Sequence, residues 1–184
     1  MELGFAEKVG IFFGLVLIIL IGSTSRSSFV NAAGGEQYVF KTKWGALCTA
    51  NGQFKDAGGI GVDALGHIYV VDRSNDRIEK FDSNGTFITM WGSLGTAKGQ
   101  FNHPEGITVD YSVNVYVVDH GNSRIEKFDS NGTFITAWGS LGTSNGQFNE
   151  VTDVTSLAGY LYVSDYGKNN VQVFALGTSP HPIN

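Results

Sequence analysis

A repeat of 47 residues runs through this chain and constrains its fold more than any other feature. The tripeptide Gly-Gln-Phe stands at residues 52–54, 99–101 and 146–148. The run RIEKFDSNGTFIT occupies residues 77–89 and is repeated letter for letter at residues 124–136. A fixed period of this length indicates that one supersecondary unit has been copied, and that each copy buries its apolar face against its neighbours.

Each copy divides into short strands separated by turn residues. β-branched and aromatic residues mark the strands, and Asn84-Gly85 favours the tight hairpin turn between the third and fourth strands. The first copy predicts strands at residues 60–63, 67–72, 77–82 and 86–91. The second copy predicts strands at 105–110, 114–119, 124–129 and 133–138. The third predicts only three strands, at 151–156, 160–165 and 170–175.

The missing fourth strand has a counterpart near the N-terminus. Residues 38–44 (YVFKTKW) match the fourth strand of the later copies and precede the first complete copy. Four antiparallel strands in each repeat of this length are typical of a β-propeller blade. We therefore predict an all-β fold of about three such blades over residues 38–176. Residues 177–184, with two prolines, are expected to form a C-terminal tail.

The N-terminus carries an apolar segment that predicts a hydrophobic helix. Residues 9–22 contain no charged side chain, but the run is short for a membrane-spanning helix, which needs about 20 apolar residues. It resembles the apolar part of a signal peptide, and Val30-Asn31-Ala32 supplies a small-residue cleavage pattern. Residues 1–32 are thus read as a signal peptide or an uncleaved membrane anchor, and residues 33–37 as a linker. Both readings predict a secreted or membrane-anchored protein with extracytoplasmic repeats.

Charge and cysteine content narrow the classes of partner. The formal net charge is -5 and no cluster of Lys and Arg is present. A nucleic-acid-binding surface needs a basic footprint to neutralise phosphates, so no nucleic acid partner is expected. The single cysteine, Cys48, excludes an intrachain disulfide. It stands where the later copies have Gly95 and Gly142, and is read as a turn position.

The repeat resembles the NHL repeat in a specific set of positions. The first copy carries them as Gly59-Ile60, Val62-Asp63, Ile68 to Asp72, Asn75, Arg77-Ile78 and Phe81. The second copy carries them as Gly106-Ile107, Val109-Asp110, Val115 to Asp119, Asn122, Arg124-Ile125 and Phe128. The third copy departs from the pattern, with Lys168 at the Asn position and Asn170 at the Arg position. The resemblance covers residues 38–175 and implies a propeller, usually of six blades.

Three blades do not close such a ring, and two explanations stay open. The chain is a truncated or partial product, or two chains pair head to tail into a closed six-bladed ring with twofold symmetry. In this homodimer each N-terminal strand, residues 38–44, completes the last blade of the other chain. The matching offset of the strands is the reason for considering the homodimer.

Residues that recur in every copy are expected to serve the fold. Asp72, Asp119 and Asp165 end the second strand of each blade. We expect each of them to cap the following turn, and the first two to pair with Arg77 and Arg124. The three tryptophans also recur in register, and we expect them to pack blades together rather than to form a sugar-stacking platform. They are Trp44, Trp91 and Trp138.

Residues that differ between copies are better candidates for function. His103 and Glu105 precede the first strand of the second blade, and His120 follows its second strand, so all three are expected on one face. His and carboxylate ligands suit a divalent metal, and the resemblance adds a precedent, because the NHL family includes a metal-dependent lyase with His ligands. His103 and His120 are therefore candidate metal ligands, with two exposed loop histidines as the alternative. No other cofactor is expected.

Exposed aromatic and arginine side chains form a second set of candidates. Tyr111, Tyr166 and Arg73 are specific to one blade each and belong to residue types that dominate binding surfaces; the alternative is ordinary surface decoration. Tyr160 belongs to the same set. Asn84 and Asn131 begin glycosylation sequons, although their hairpin turns alone explain them.

Three functions follow from this reading. The leading one is a non-enzymatic module that binds a protein, a small molecule or a carbohydrate, because no Ser-His-Asp series, paired-cysteine metal site or phosphate-binding glycine loop is present. The second is a metal-dependent lyase or hydrolase that uses His103 and His120. The third is a fragment of a larger repeat protein. Repeat scaffolds carry many unrelated sites, so the fold alone does not decide among them.

Overall fold

The computed structural model describes residues 29–31 and 37–175, and within them the chain is almost entirely β-structure. The predicted hydrophobic helix and the C-terminal tail lie outside the described residues, as does Ala32, after which cleavage is predicted. The chain divides into two units, residues 1–42 and 43–184. In the first unit, β1 (Phe29–Asn31) pairs antiparallel with β2 (Gln37–Val39). No helix long and apolar enough to cross a membrane occurs in the described part of the chain.

The second unit contains three antiparallel sheets, which we call blades 1, 2 and 3 in chain order. Blade 1 consists of β3 (Ala57–Val62), β4 (Ile68–Asp72), β5 (Arg77–Phe81) and β6 (Phe87–Trp91). Blade 2 consists of β7 (Pro104–Val109), β8 (Val115–Asp119), β9 (Arg124–Phe128) and β10 (Phe134–Trp138). Blade 3 consists of β11 (Val151–Leu157), β12 (Tyr160–Asp165) and β13 (Asn170–Ala175). Within each blade, consecutive strands are neighbours, as predicted.

The predicted N-terminal strand is the main difference between expectation and structure. Only Tyr38 and Val39 of residues 38–44 lie in a strand, and they pair with β1 instead of a blade. Residues 40–46 have no regular secondary structure. A strand is stable only when a neighbouring strand satisfies its backbone groups, and the described residues place no such neighbour beside residues 40–44. The prediction of a strand over the whole segment was therefore wrong for this single chain.

The core lies in two seams between neighbouring blades. Seam 1–2 buries Tyr69, Val71 and Ile78 of blade 1 against Ile107, Val115, Val117 and Phe128 of blade 2, with Phe101. Seam 2–3 buries Tyr116, Val118 and Ile125 of blade 2 against Val151, Val154, Leu161 and Val163 of blade 3, with Phe148. The phenylalanine of the Gly-Gln-Phe tripeptide is thus a core residue in both seams, which explains its recurrence at the repeat period.

The tryptophans pack across the seams, as predicted. The Trp91 ring lies 5.7 Å from the Phe128 ring, and Trp138 lies at the same distance from Phe174. Trp44 lies 6.0 Å from Phe81. Each pair combines apolar burial with a favourable tilted ring geometry.

The hairpin between the third and fourth strands has the predicted turn. Gly85 adopts a φ of 82°, a left-handed value that glycine adopts without steric cost. Asp82 Oδ1 accepts hydrogen bonds from the backbone N–H groups of Asn84 and Thr86, at 2.9 and 2.8 Å. Asn84 and the equivalent Asn131 are exposed; their glycosylation stays a prediction.

Candidate binding site

The aspartates of blades 1 and 2 each anchor a clamp with the arginine of their own blade, as predicted. The predicted capping of the following turn is made only by Asp165, which accepts a hydrogen bond from the Lys168 backbone N–H at 3.2 Å; Asp72 and Asp119 make no such bond. Asp72 Oδ2 accepts hydrogen bonds from Arg77 Nε at 2.9 Å and from Asn75 Nδ2 at 2.7 Å. Its Oδ1 accepts one from the Lys55 backbone N–H at 2.9 Å. Blade 2 repeats this arrangement around Asp119, with Arg124 Nε at 2.7 Å. These carboxylates are fully used by the fold and are not free to bind a ligand.

The arginine of each clamp also holds the loop that leads into its blade. In blade 1 the Arg77 guanidinium donates to the carbonyl oxygens of Thr49, Ala50 and Gln53, at 2.8, 3.0 and 3.1 Å. The planar guanidinium presents several donors in a fixed geometry, which suits this multiple contact. The loop before the blade is therefore tied to the third strand.

A buried glutamate, which the sequence analysis did not single out, completes each of these clamps. The side chains of Glu79 and Glu126 are fully buried beside Arg77 and Arg124. Glu126 Oε2 accepts a hydrogen bond from the Gly99 N–H at 3.0 Å, while its Oε1 lies 2.9 Å from the guanidinium without hydrogen-bond geometry.

Burial governs the ionisation of both glutamates. It raises the pKa of Glu126 to about 7, although Arg124 and the Gly99 N–H act in the opposite direction. Burial likewise raises the pKa of Glu79. A desolvated carboxylate with one unsatisfied oxygen favours its protonated form.

Blade 3 replaces the charged clamp with a neutral one. Asn170 and Gln172 stand at the positions of the arginine and the glutamate. Gln172 accepts from the Gly146 N–H at 2.8 Å and donates to the Gln147 carbonyl at 2.8 Å. Lys168 takes over the loop contacts, because its Nζ donates to the Ser144 and Gln147 carbonyls. The departure of the third copy from the pattern of the first two is thus a compensated exchange.

A surface at one end of the blades carries a different side chain in each copy. Arg73, His120 and Tyr166 each follow the recurring aspartate and begin equivalent short 3-10 turns. We call these three residues together with Glu105 the variable rim. The side chain of Arg73 is 37% exposed and that of His120 is 29% exposed, while Tyr166 is 73% exposed. The repeated backbone therefore presents a cation, an imidazole and a phenol at equivalent positions.

Polar contacts link the members of the variable rim across the seams. Arg73 Nη2 of blade 1 lies 2.9 Å from Glu105 Oε1 of blade 2. The other oxygen of Glu105 lies 3.6 Å from His120 Nδ1, and that nitrogen donates to the Val151 carbonyl of blade 3 at 2.8 Å. Glu105 thus lies between two partly exposed groups that can each carry a proton. Asp56 adds a second carboxylate 3.5 Å from Arg73.

Ligation of a metal by His103 and His120 stays a prediction; within the described residues, His103 does not form a metal-holding group with Glu105 and His120. Its Nδ1 lies 2.8 Å from Asn102 Oδ1. Its backbone N–H donates to Asp76 Oδ1 at 2.7 Å, and its φ is 50°. Within residues 29–31 and 37–175, no group of three or more His, Cys, Asp and Glu side chains is arranged to hold a metal ion.

Tyr111 lies at the opposite end of the blades, in the turn between β7 and β8. It is 82% exposed and borders a cavity of about 550 Å³. This cavity, which we call the seam cavity, lies between blades 2 and 3 and is lined among others by Tyr116, Lys127, Trp138 and Phe174. Of the six sequence candidates, four belong to the variable rim, namely Arg73, Glu105, His120 and Tyr166, whereas His103 and Tyr111 do not.

Comparisons with known proteins identify the fold. A protein of unknown function from Bacteroides thetaiotaomicron matches with a TM-score of 0.52 at 20% identity, over 59% of this chain and 32% of its own. Hydrazine synthase from Kuenenia stuttgartiensis matches with a TM-score of 0.53 at 11% identity, over 70% of this chain and 35% of its own. No protein-family model matches the chain, and no curated protein does.

These likenesses concern the fold alone. Both solved structures are β-propeller-like, and this chain is therefore β-propeller-like over its blades. The match spans about a third of the length of each of these structures.

Proposed function

We propose that the chain is an NHL-type propeller module that binds a protein, small-molecule or carbohydrate ligand through the variable rim. The observation that supports this proposal most directly is that the variable rim differs between copies while most of the surrounding repeat is identical. The first two copies are identical at 31 of 47 positions, yet the residue after the recurring aspartate is Arg73 in one and His120 in the other. A position that varies on a constant backbone is what a recognition surface needs.

The chemistry of the rim favours a polar ligand. Arg and Tyr are the residue types that contribute most to binding surfaces, and Arg73 and Tyr166 present both. Glu105 offers acceptor oxygens between them and His120. A ligand with both hydrogen-bond donors and acceptors, such as a peptide or a carbohydrate, matches this set of groups.

The metal-dependent alternative is not carried further, because the His103 ring contacts Asn102 and its backbone N–H donates to Asp76.

The resemblance of the first two copies to the NHL pattern supports the family assignment within this proposal. The exchange at Lys168, Asn170 and Gln172 in the third copy keeps the hydrogen bonds to the loop before the blade, so it agrees with a repeat of the same type.

We further propose that the leader exports the repeats or tethers them to a membrane. Glycans at Asn84 and Asn131 then lie on exposed hairpins. Edman sequencing and glycan analysis of the full chain recovered from a secreting host test both points.

The binding proposal is tested with glycan and peptide arrays as probes. The wild-type chain is compared with Arg73→Ala and Tyr166→Ala, and Tyr111→Ala serves as a control of matched residue type and exposure at the opposite end. We expect the two rim variants to weaken binding to any array hit by about tenfold or more, with the control unchanged. Loss of binding in Tyr111→Ala alone, or no hit with the folded wild type on either array, contradicts the proposal.

A further inference from the structure

Blade 3 has an open outer edge, and the seam cavity lies beside it. Among the described residues β13 pairs only with β12, whereas blades 1 and 2 each have a fourth strand. In seam 1–2 the fourth-strand residue Phe134 packs against Phe128, with their rings 6.0 Å apart, and joins the core. In the described part of the chain, seam 2–3 has no such residue beside the equivalent Phe174, which lines the seam cavity. The cavity therefore marks the place of a fourth strand.

A lysine on the wall of the seam cavity points to the same missing segment. Lys80 of blade 1 donates across seam 1–2 to the Ser130 carbonyl, in the hairpin that begins the fourth strand of blade 2, at 2.9 Å. Lys127 stands at the equivalent position in blade 2. Its Nζ lies over the Tyr116 ring at 5.2 Å, and within the described residues it has no equivalent carbonyl acceptor. Lys127 therefore lies where the hairpin before a fourth strand of blade 3 would supply its carbonyl acceptor.

The chain also contains a fourth-strand sequence that is not used as one. Residues 40–44 read FKTKW and lie one period, 47 residues, before FITMW of β6, which in turn lies one period before FITAW of β10. The phenylalanine, threonine and tryptophan coincide in all three. Phe40 is nevertheless 57% exposed, and residues 40–44 belong to no strand.

Trp44 already occupies the place that a preceding blade would give it. It packs on Phe81 of blade 1, as Trp91 packs on Phe128 of blade 2. A Cβ on Gly85 would approach the Trp44 ring at 2.7 Å, and one on Gly132 would approach the Trp91 ring at 2.5 Å. The end of the FKTKW segment therefore lies against blade 1 where the fourth strand of a neighbouring blade belongs.

The exposed faces of blades 1 and 3 are the two halves of a blade seam. On blade 1, Ile60 and Val62 are 64% and 57% exposed, and they correspond by the repeat to Ile107 and Val109, which pack in seam 1–2. On blade 3, Tyr162 and Val171 are 36% and 61% exposed. They correspond to Tyr69 and Ile78, which the same seam buries. A blade 3 face and a blade 1 face thus carry equivalents of residues that already pack together.

We propose that a second copy of this chain completes blade 3, with its residues 40–44 pairing along β13. The face of its blade 1 packs at the same time on the face of blade 3, and its Phe40 enters the seam cavity. The exchange is reciprocal, so two chains form one closed ring of six blades with twofold symmetry. The repeat fixes the register: Lys80 pairs with Thr89 in blade 1, so Val173 pairs with Thr42 of the second copy. This inference stands on the blades alone and does not depend on a ligand at the variable rim.

Disulfide crosslinking of the full chain tests the register directly. In a Cys48→Ser background, Thr42→Cys and Val173→Cys are placed in separate chains, which are purified, mixed under denaturing conditions, refolded together and oxidised. Directly opposed strand residues are within disulfide reach, so we expect a crosslinked dimer on a non-reducing gel that disappears on reduction. Pairing Thr42→Cys with Leu94→Cys, an exposed position in the loop after blade 1, is the control and is expected to give no dimer above background.

Two further measurements separate the outcomes. A chain that carries both Thr42→Cys and Val173→Cys but forms only an intrachain crosslink would mean that the segment completes its own blade, and the proposal is then wrong. Folded variants that give no specific crosslink also overturn it. Val171→Lys keeps an exposed position exposed in the single chain but places a charge where the equivalent Ile78 is buried in seam 1–2. We expect it to halve the mass in analytical ultracentrifugation, with the similarly exposed Leu94→Lys as the control. A single-chain mass for the folded wild type contradicts the proposal independently.

Discussion

At the scale of single residues, the clamps show how one hydrogen-bonding task is met by two sets of side chains. Blades 1 and 2 bury an arginine and a glutamate together, and the glutamate oxygen Oε1 stays without a hydrogen bond. Blade 3 uses Gln172, whose carbonyl and amide groups are both bonded. The charged version relies on an ion pair between the glutamate and the arginine, whereas the neutral version relies on hydrogen bonds of Gln172 to the backbone.

The first prediction concerns the pH dependence of stability that Glu126 confers. Its pKa rises from 4.5 to about 7 in the folded protein, so between these values the folded state keeps a proton that the unfolded chain releases. Its contribution is therefore fully present below pH 4.5 and is lost as the pH rises through about 7, a loss on the order of 3 kcal/mol.

Glu126→Gln, which copies the residue of blade 3, is expected to flatten this part of the profile. Urea denaturation between pH 4.5 and 7.5 measures it. The exposed Glu150→Gln serves as the control and is expected to keep the slope of the wild type. An unchanged slope in Glu126→Gln contradicts the burial argument; a residual slope from Glu79 is expected, because burial raises the pKa of that glutamate too.

At the scale of elements, the hairpin before each fourth strand is fixed by contact with the preceding blade as well as by its own turn. Gly132 has a φ of 87°, and a Cβ added to it would lie 2.5 Å from the Trp91 ring. Gly146 has a similar φ of 78°, but a Cβ there would meet nothing within 4 Å. A substitution at Gly146 therefore tests backbone strain alone, whereas a substitution at Gly132 tests the same strain together with steric contact.

The second prediction uses these two positions. Gly146→Ala is expected to cost about 1–2 kcal/mol, the cost of placing a side chain in the left-handed region. Gly132→Ala adds the clash with Trp91 and is expected to cost about 1–3 kcal/mol more. The free energy of unfolding from denaturant titration, compared between the two variants, measures the difference. Equal costs would mean that Trp91 moves aside without penalty.

The sequence predicted the elements of the blades better than the environment of their side chains. The recurrence of one strand pattern placed every blade strand to within three residues at each end. The burial of Glu79 was missed because a charged residue in a strand usually indicates a solvent-facing position, and its partner groups come from a loop distant in sequence. The position of Glu105 beside His120 followed from strand order. That His103 is not grouped with Glu105 and His120 could not be predicted in this way, because the course of the chain there depends on the left-handed backbone of His103.

At the scale of the whole molecule, the blades carry the same apolar contact twice, once buried in a seam and once exposed on an open face. Phe101 and Phe148 are fully buried in the seams, whereas the equivalent Phe54 is only half-buried on the open face of blade 1. Isolated sheet faces and edges of this kind invite association with other chains. The contribution of the Gly-Gln-Phe phenylalanine to the free energy of unfolding is therefore expected to differ between blades.

The third prediction compares these equivalent phenylalanines. Phe101→Ala is expected to destabilise the protein by about 3–5 kcal/mol, because it leaves a cavity in seam 1–2. Phe54→Ala is expected to cost less than half as much when unfolding is followed at nanomolar concentration, where the proposed dimer is dissociated. At high concentration its cost is expected to rise toward that of Phe101→Ala. Equal costs at every concentration would contradict an open face on blade 1.

The arginine clamp has a consequence for the order in which the chain folds during synthesis. The loop before blade 1 is held by Arg77, which lies 28 residues after its acceptor Thr49. A ribosome adds residues at roughly 5–20 per second, so the loop waits about 1.5–6 s after its own synthesis for the residue that fastens it. The loops before blades 1 and 2 are thus fastened late, by an arginine of the third strand of their own blade.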